Sequence, residues 1–365
     1  MQRLEKLRER MAKKKIPALL LTNPINIGYL SGFAGSEDIA LITSKKAMLF
    51  TPLEVGRLGR PPRSRRGLLT GFTDFLQIKK RKDPFFKTLI PILDKLKIKR
   101  LGFEAEHLSY SRYRLFSKNL KGFRLIPTKG LVENLRRVKN QKEIEAIRRG
   151  IEIAESALTR ILKKIKVSIK EREVAALLEY EIKKGGAEGS AFPPIVAFGR
   201  RTSYPHSKPS ITKLRKGDLI KIDWGAIYRR YSSDLTRSFV LGRATEKQRK
   251  IYFILYRAQS EAIEKIKPGI ECVRIDKIAR DIITKEGYGK FFSHGLGHGI
   301  GREVHEGPYL KSEDHTLIEP GMVLTVEPGI YLPGWGGIRI EDMVLVTAKG
   351  CEVLSRRAPE ELPEL

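Results

Sequence analysis

The stretch Glu143–Ile165, EIEAIRRGIEIAESALTRILKKI, carries the reading of the fold. Ile144, Ile147, Ile151, Ala154, Leu158 and Ile161 recur at helical spacing, so one apolar stripe runs along one side. Downstream, Ser168 and Glu171 form a capping-box pair that predicts a second helix, stopped by Gly185-Gly186. Strand-like segments follow from Pro194 to Leu241. The order then recurs. Thr245 and Gln248 cap a long helix ending at Pro268-Gly269, a shorter helix runs from near Arg274 to Glu286 and stops at Gly287, and strand-like runs continue to Val346. Helix–helix–strands thus occurs twice, in halves of about 100 residues. Helices and strands come in runs rather than in alternation, which predicts largely antiparallel sheets and an α+β fold. Two such halves, facing each other, place a site along their seam.

The residues before this stretch read as a small α/β domain over 1–130, with 131–365 as the second domain. Leu4 to Lys15 is an amphipathic helix, and Ala18–Leu21 and Ala40–Thr43 are short apolar strands. Phe85 to Lys95 is a further helix, with Asp83 as its cap and Pro84 suited to its first position. Pro91 inside it predicts a kink or an early stop.

Composition narrows the function classes. With 41% hydrophobic and 31% charged residues in 365, the chain is globular and long enough for two domains. Cys272 and Cys351 are its only cysteines, so no disulfide framework is expected, which suits a reducing cytosol. The N-terminal residues lack a signal-peptide apolar core, and Ile16–Leu21 is far too short to span a bilayer. A cytoplasmic protein with no membrane partner is the expectation. Asn and Gln are scarce beside Lys, Arg and Glu, a thermophilic pattern. The formal charge of +29 is loaded onto blocks such as Lys13-Lys14-Lys15, Arg63-Ser64-Arg65-Arg66 and Lys79-Lys80-Arg81-Lys82. Such blocks bind nucleic acid non-specifically or simply form a solvated surface. No zinc finger, recognition helix or aromatic-interleaved basic motif accompanies them.

The chemistry lies in the strand-like runs. Asp223 closes the apolar segment Ile220–Ile222, and Asp234 follows in Ser232-Ser233-Asp234-Leu235-Thr236. Tyr228–Tyr231 is polar enough for a hairpin tip, which brings the two carboxylates within about 4.5–8 Å. Like charges so close need a cation between them, or one stays protonated. Glu327 after Val326 and Glu341 after Ile340 repeat the pattern around the loop Leu332–Gly336. Taken singly, each has a plainer reading. Asp223 can end a strand, Asp234 can cap a turn, and Arg339 can pair with Glu341 on one strand face. Histidine gives a stronger signal. Of the six in the chain, His294, His298 and His305 fall in SHGLGHGIGREVHE (293–306), and His206 is a fourth candidate. The glycines of 295–301 allow close backbone approach. Gly295-Leu296-Gly297 is half of a dinucleotide fingerprint, but no helix and no suitably placed acid follow. Four carboxylates and an imidazole suit a pair of divalent ions about 3.5–4 Å apart.

The set Asp223, Asp234, His298, Glu327 and Glu341, with HGLGHGIG (294–301) and VHEGP (304–308), resembles the pita-bread metallopeptidases, nearest to Xaa-Pro dipeptidases (prolidases) and Xaa-Pro aminopeptidases. Asn23–Phe33, NPINIGYLSGF, is similar to the start of their N-terminal domain. The resemblance implies a creatinase/prolidase-like N-terminal domain, then a pita-bread domain with pseudo-two-fold helix–helix–strand halves. It implies release of the N-terminal residue before proline by a homodimer holding two divalent ions, Mn²⁺ or Co²⁺. Asp223 would chelate one ion, Asp234 and Glu341 would bridge both, and His298 and Glu327 would complete the second. His206, His294 and His305 would contact substrate or stabilise the tetrahedral intermediate, with His206, His305 and Glu327 catalytic and Arg339 orienting substrate. An idle pita-bread module using its basic surface on nucleic acid is the alternative. One departure stands out. Where the family commonly has an Asp-Gly-Arg-Tyr-like strand end, this chain reads TPLEVGR (51–57), followed by the basic segment 61–66.

Overall fold

The computed structural model describes residues 2–32, 37–51 and 85–365, and the backbone of 77–80. The departure at 52–57, the block 63–66 and the expected cap Asp83-Pro84 lie outside the described residues. The chain forms two compact units, Met1–Arg136 and Arg137–Leu365.

In the first unit the elements run α1 (Gln2–Lys13), β1 (Ala18–Leu21), α2 (Pro24–Ser31), β2 (Ile39–Thr43), β3 (Ala47–Thr51), β4 (Gln77–Lys80), α3 (Phe86–Lys95), β5 (Arg100–Glu104), α4 (Tyr110–Asn119), β6 (Arg124–Thr128) and α5 (Glu133–Arg136). They build a mixed sheet in the order β4-β3-β2-β1-β5-β6. Alternate residues of β1 feed opposite faces. Leu19 and Leu21 meet Leu4, Leu7 and Met11 of α1, whereas Ala18 and Leu20 lie with Leu89 and Leu93 of α3. Helix α2 was not evident from its apolar sequence. Asn23 caps it by accepting from the Ile25 amide, Pro24 occupies its first position, and Gly32 ends it in the left-handed conformation at φ 74°. Helix α3 runs on through Pro91 instead of stopping there. Glu104, at the end of β5, is buried and accepts from the amides of Thr22 (2.6 Å) and Asn23 (2.8 Å) and from Asn26 Nδ2 (2.7 Å). It therefore holds the β1–α2 junction.

The second unit carries the duplicated order. Its first half has α6 (Gln141–Leu162), α7 (Glu171–Lys184), β7 (Gly189–Ser190), β8 (Ile195–Phe198), β9 (Leu219–Trp224), β10 (Ala226–Tyr228), β11 (Tyr231–Ser232) and β12 (Leu235–Val240). The second half has α8 (Glu246–Lys265), α9 (Cys272–Lys285), β13 (Gly297–Gly299), β14 (Glu306–Leu310), β15 (Val323–Val326), β16 (Gly329–Leu332), β17 (Gly336–Arg339), β18 (Asp342–Val346) and β19 (Cys351–Val353). All ladders between these strands are antiparallel, as expected. Each half buries one helix pair against its strands. Ile147, Ile151, Ala154 and Ile161 of α6 join one core, and Ile251, Leu255, Ala258 and Ile275 of α8 and α9 join the other.

The caps agree with sequence in one half only. Thr245 and Gln248 exchange hydrogen bonds as expected. At α7 the amide of Lys170 instead donates to Glu173 (3.1 Å), and Ser168 sits at φ 70°. Glu171 is withdrawn into the interior, where it accepts from the Phe198 and Ser210 amides and from Arg201. A buried carboxylate with that many donors is worth more to the fold than a solvent-facing cap, so the capping role passes to the next acid.

Replacing Glu104 by Ala strips the Thr22 and Asn23 amides of their partner. Glu104→Ala is expected to lower the unfolding free energy by roughly 2–4 kcal/mol, read by denaturant melts that follow the N-terminal unit. A loss within error would show that water replaces the carboxylate there.

Candidate metal centre

Two bent hairpins supply the site. In the first, β9 pairs with β12 and β10 with β11, and the turn between Tyr228 and Tyr231 is the expected tip. Arg229 and Arg230 both have positive φ, as a two-residue hairpin turn of this hand requires. Asp223 is near the end of β9, and Asp234 lies in the gap between β11 and β12. In the second, β15 pairs with β18 and β16 with β17, so Glu327 and Glu341 both fall in the gap between two ladders. The halves are stitched together there. The Glu341 amide donates to the Thr236 carbonyl (3.1 Å), and the Thr236 hydroxyl donates to Glu341 Oε2 (2.8 Å).

Strand β13 brings the imidazole. A Cβ at Gly297 would collide with the Thr325 carbonyl, so only glycine lets β13 lie this close to β15. His298 Nδ1 lies 3.1 Å from the Gly299 carbonyl, which places an N–H at Nδ1 and turns Nε2 toward the acids. Nε2 is 3.3 Å from Glu327 Oε1 and 3.7 Å from Asp234 Oδ2.

Asp223, Asp234 and Glu341 converge with ligand atoms within 4.8 Å of one another, and so do His298, Glu327 and Glu341. A third group joins Asp234 and His298 to His305, which is exposed and lies 4.3 Å ring to ring from His298. All five expected ligands therefore meet. His294 is held apart from them, with Nδ1 on the Gly295 carbonyl (2.8 Å) and Nε2 on the Tyr331 hydroxyl (3.0 Å). His206 is exposed at the margin, near enough for its charge to act on Asp223 and His305. Arg339 does not pair with Glu341. Its guanidinium forms an ion pair with Asp223, lies 4.0 Å from Glu327, and donates to Thr236 Oγ1 (3.0 Å) and Tyr331 Oη (3.0 Å). Thr236 and Tyr331 were not picked out from sequence. A lone Thr and a lone Tyr in apolar strands give no signal until register shows what they face.

Crowding dominates the electrostatics. Burial, then Glu341 and Asp223, push the Asp234 carboxyl well above its ordinary value. Burial, then Glu327 and Asp223, do the same to Glu341. Asp223 is raised by burial, with Arg339 opposing. Burial also acts upward on Glu327, but His298, His294 and Arg339 outweigh it and hold Glu327 down at about 2. Asp223 Oδ1 and Glu341 Oε1 are buried with no hydrogen-bond partner. Orphaned carboxylate oxygens beside an imidazole nitrogen are what a divalent-cation site needs, and the oxygen-rich donor set fits hard divalent ions.

Comparison with known proteins agrees. Residues 145–348 match the profile of metallopeptidase family M24, and residues 3–138 that of the creatinase/prolidase N-terminal domain. The chain belongs to metallopeptidase family M24. It is similar to a Xaa-Pro dipeptidase of Pyrococcus horikoshii, 39% identical over 364 residues that span 98% of each chain. Two solved structures superpose over nearly the whole chain. A Xaa-Pro dipeptidase from Bacillus anthracis has TM-score 0.92 at 37% identity, covering 100% of this chain and 99% of that one. An X-Pro aminopeptidase from Thermotoga maritima has TM-score 0.86 at 35% identity, covering 99% of each. The M24 protein described here therefore has the pita-bread architecture with a creatinase/prolidase N-terminal domain. It is a metallopeptidase that uses divalent metal, and no comparison supports the idle nucleic-acid-binding alternative. Among the described residues, no helix is long and apolar enough to cross a membrane.

The crowded acids make a pH prediction for chelator-stripped protein. An acid raised by folding takes up a proton that the unfolded chain releases. Its stabilisation is complete below the ordinary values of 3.8 and 4.5 and is lost as pH climbs through the raised ones. Glu327 has the opposite sign, but its window lies between 4.5 and about 2. Metal-free protein is thus expected to melt at a lower temperature at about pH 8 than at about pH 5, and Asp234→Asn should flatten that slope. A slope unchanged by the substitution would mean that Asp234 is not the strained group.

Proposed function

We propose that this protein hydrolyses the peptide bond preceding proline, releasing the N-terminal residue of Xaa-Pro dipeptides or peptides, with two divalent ions, Mn²⁺ or Co²⁺, in one centre. The observation that carries the reading is the meeting of Asp223, Asp234, His298, Glu327 and Glu341 with two buried carboxylate oxygens unpartnered. The names of its relatives agree with the substrate class.

Asp223 would hold one ion, Asp234 and Glu341 both, and His298 and Glu327 the other. Ions held there would supply Lewis acidity toward the scissile carbonyl and lower the pKa of a water. Glu327, ionised near neutral pH, accepts a proton and passes it to the proline nitrogen as the bond breaks. Arg339 fixes Asp223 and, through Thr236, Glu341, so the acids keep their aim. His206, His294 and His305 contact substrate or the developing tetrahedral oxyanion, the first and last from exposed positions and His294 from beside Tyr331. A peptide bond before proline has no N–H, and nothing in this donor set requires one. The same reading assigns 1–130 to the N-terminal domain and 131–365 to the catalytic one, and takes the working form to be a homodimer.

Chelator-stripped enzyme, re-loaded separately with Mn²⁺, Co²⁺ and Zn²⁺ and assayed on Xaa-Pro and Xaa-Pro-Xaa peptides, tests the proposal. Hydrolysis should vanish on stripping, return best with Mn²⁺ or Co²⁺, and be absent in Asp223→Ala, which keeps its fold by circular dichroism. Full Xaa-Pro hydrolysis by Asp223→Ala would refute the assignment.

A further inference from the structure

Lys221 is not among the converging acids and imidazoles, yet it is completely buried in β9. Its ammonium donates to three main-chain carbonyls, those of Thr202 (3.1 Å), Tyr204 (2.7 Å) and Pro205 (3.2 Å). It also lies 5.1 Å from the centre of the Tyr331 ring. A lysine without water is costly unless every N–H is matched, and here three donors meet three acceptors. The carbonyls belong to the turn that ends in His206. Strand alternation puts Lys221 and Asp223 on one face of β9. One strand face thus sends a carboxylate into the metal cluster and an ammonium beneath the turn beside it.

Other buried groups clamp the same turn. Glu171 accepts from the Phe198 and Ser210 amides and from Arg201, fixing both ends of the segment. Thr202 Oγ1 accepts from the Gly337 amide (2.8 Å), and Arg339 Nη1 donates to the Pro205 carbonyl (3.3 Å). Despite this anchoring, Tyr204 is 65% exposed and His206 is exposed too. A backbone held so firmly beneath side chains left in solvent is a presenting surface. Mere packing would bury the side chains as well.

We propose that Lys221 is a positioning residue for substrate binding, acting as an internal hydrogen-bond donor that fixes the 202–206 turn so that His206 meets the peptide in one orientation. This rests on the functional reading above, in which His206 touches substrate. Lys221 itself touches neither substrate nor metal ligands, so its loss should be felt in binding and should pass through His206.

The test is a double-mutant cycle on manganese-loaded full-length enzyme with a Xaa-Pro dipeptide. Lys221→Met keeps the apolar stem and removes the donors. It should raise KM about tenfold while kcat stays within about threefold, the signature of lost uniform binding. Metal content should match wild type. His206→Ala should raise KM at least as far and, since His206 also meets the oxyanion, lower kcat; the double variant should have a KM no more than about twofold above that of His206→Ala, because both changes remove one binding interaction. Multiplying losses, or wild-type kinetics in Lys221→Met, would overturn the inference. If Lys221→Met does not fold, Lys221→Gln, which keeps two donors, carries the same cycle. Metal loss in both variants would also overturn it, since Lys221 would then be acting on Asp223. Wild-type protein that leaves Xaa-Pro intact, or a fully active His206→Ala, would instead sink the functional reading and this inference with it.

Discussion

Four carboxylates share one buried seam between the two halves of the C-terminal unit, and their mutual repulsion is the constraint around which that seam is built. Nothing in the apolar cores asks for Asp223, Asp234, Glu327 and Glu341 to meet. Burial alone would push each toward its neutral form, and each neighbour pushes further. The protein's own cations answer only part of this charge. Arg339 serves Asp223 and, with the imidazoles beside it, Glu327, which is the one acid of the four held low. Asp234 and Glu341 are left without a cationic partner of their own. The folded chain therefore carries a strain that a divalent cation held there would relieve, which would couple metal binding to stability.

The backbone achieves this meeting with one device used twice. In each half a hairpin is broken into two short ladders, and the break frees an acid from strand pairing to face the seam. Asp234 sits in the break of the first hairpin, and Glu327 and Glu341 face each other across the break of the second. An unbroken ladder would fix each side chain to one face by strict alternation. The isolated bridge between Thr236 and Glu341 then locks one break to the neighbouring strand, so neither half can shift without moving acids of both.

Much of this was legible in the residues. The helical stripe of α6, the cap at Thr245 and the recurrence of two helices before strands gave the duplicated order, and glycines around His298 announced close packing. The acids stood out because each ended an apolar run. Other features depended on partners far away in sequence. Ser168 and Glu171 have the spacing of a capping box, but Glu171 finds more donors inside, from Phe198, Arg201 and Ser210. Arg339 sits at strand spacing from Glu341, yet the bend between β17 and β18 sends it to Asp223. Local pattern reports which groups are available. Competition among distant partners decides which pairs form.

Arg339 shows how the two kinds of information combine. Its Nε donates to Thr236, whose hydroxyl donates to Glu341, and its Nη1 donates to Tyr331, whose hydroxyl reaches His294. One guanidinium thus orients an acid in each half and, through Tyr331, a histidine beside them. A lysine there would provide the charge but not the planar fork that reaches these partners at fixed angles. Neutralising charge and fixing direction are separate demands in this seam. The first can be met by ions drawn from solution, whereas the second must be built into the fold, and the hydrogen bonds of Arg339, Thr236 and Tyr331 are where this chain builds it.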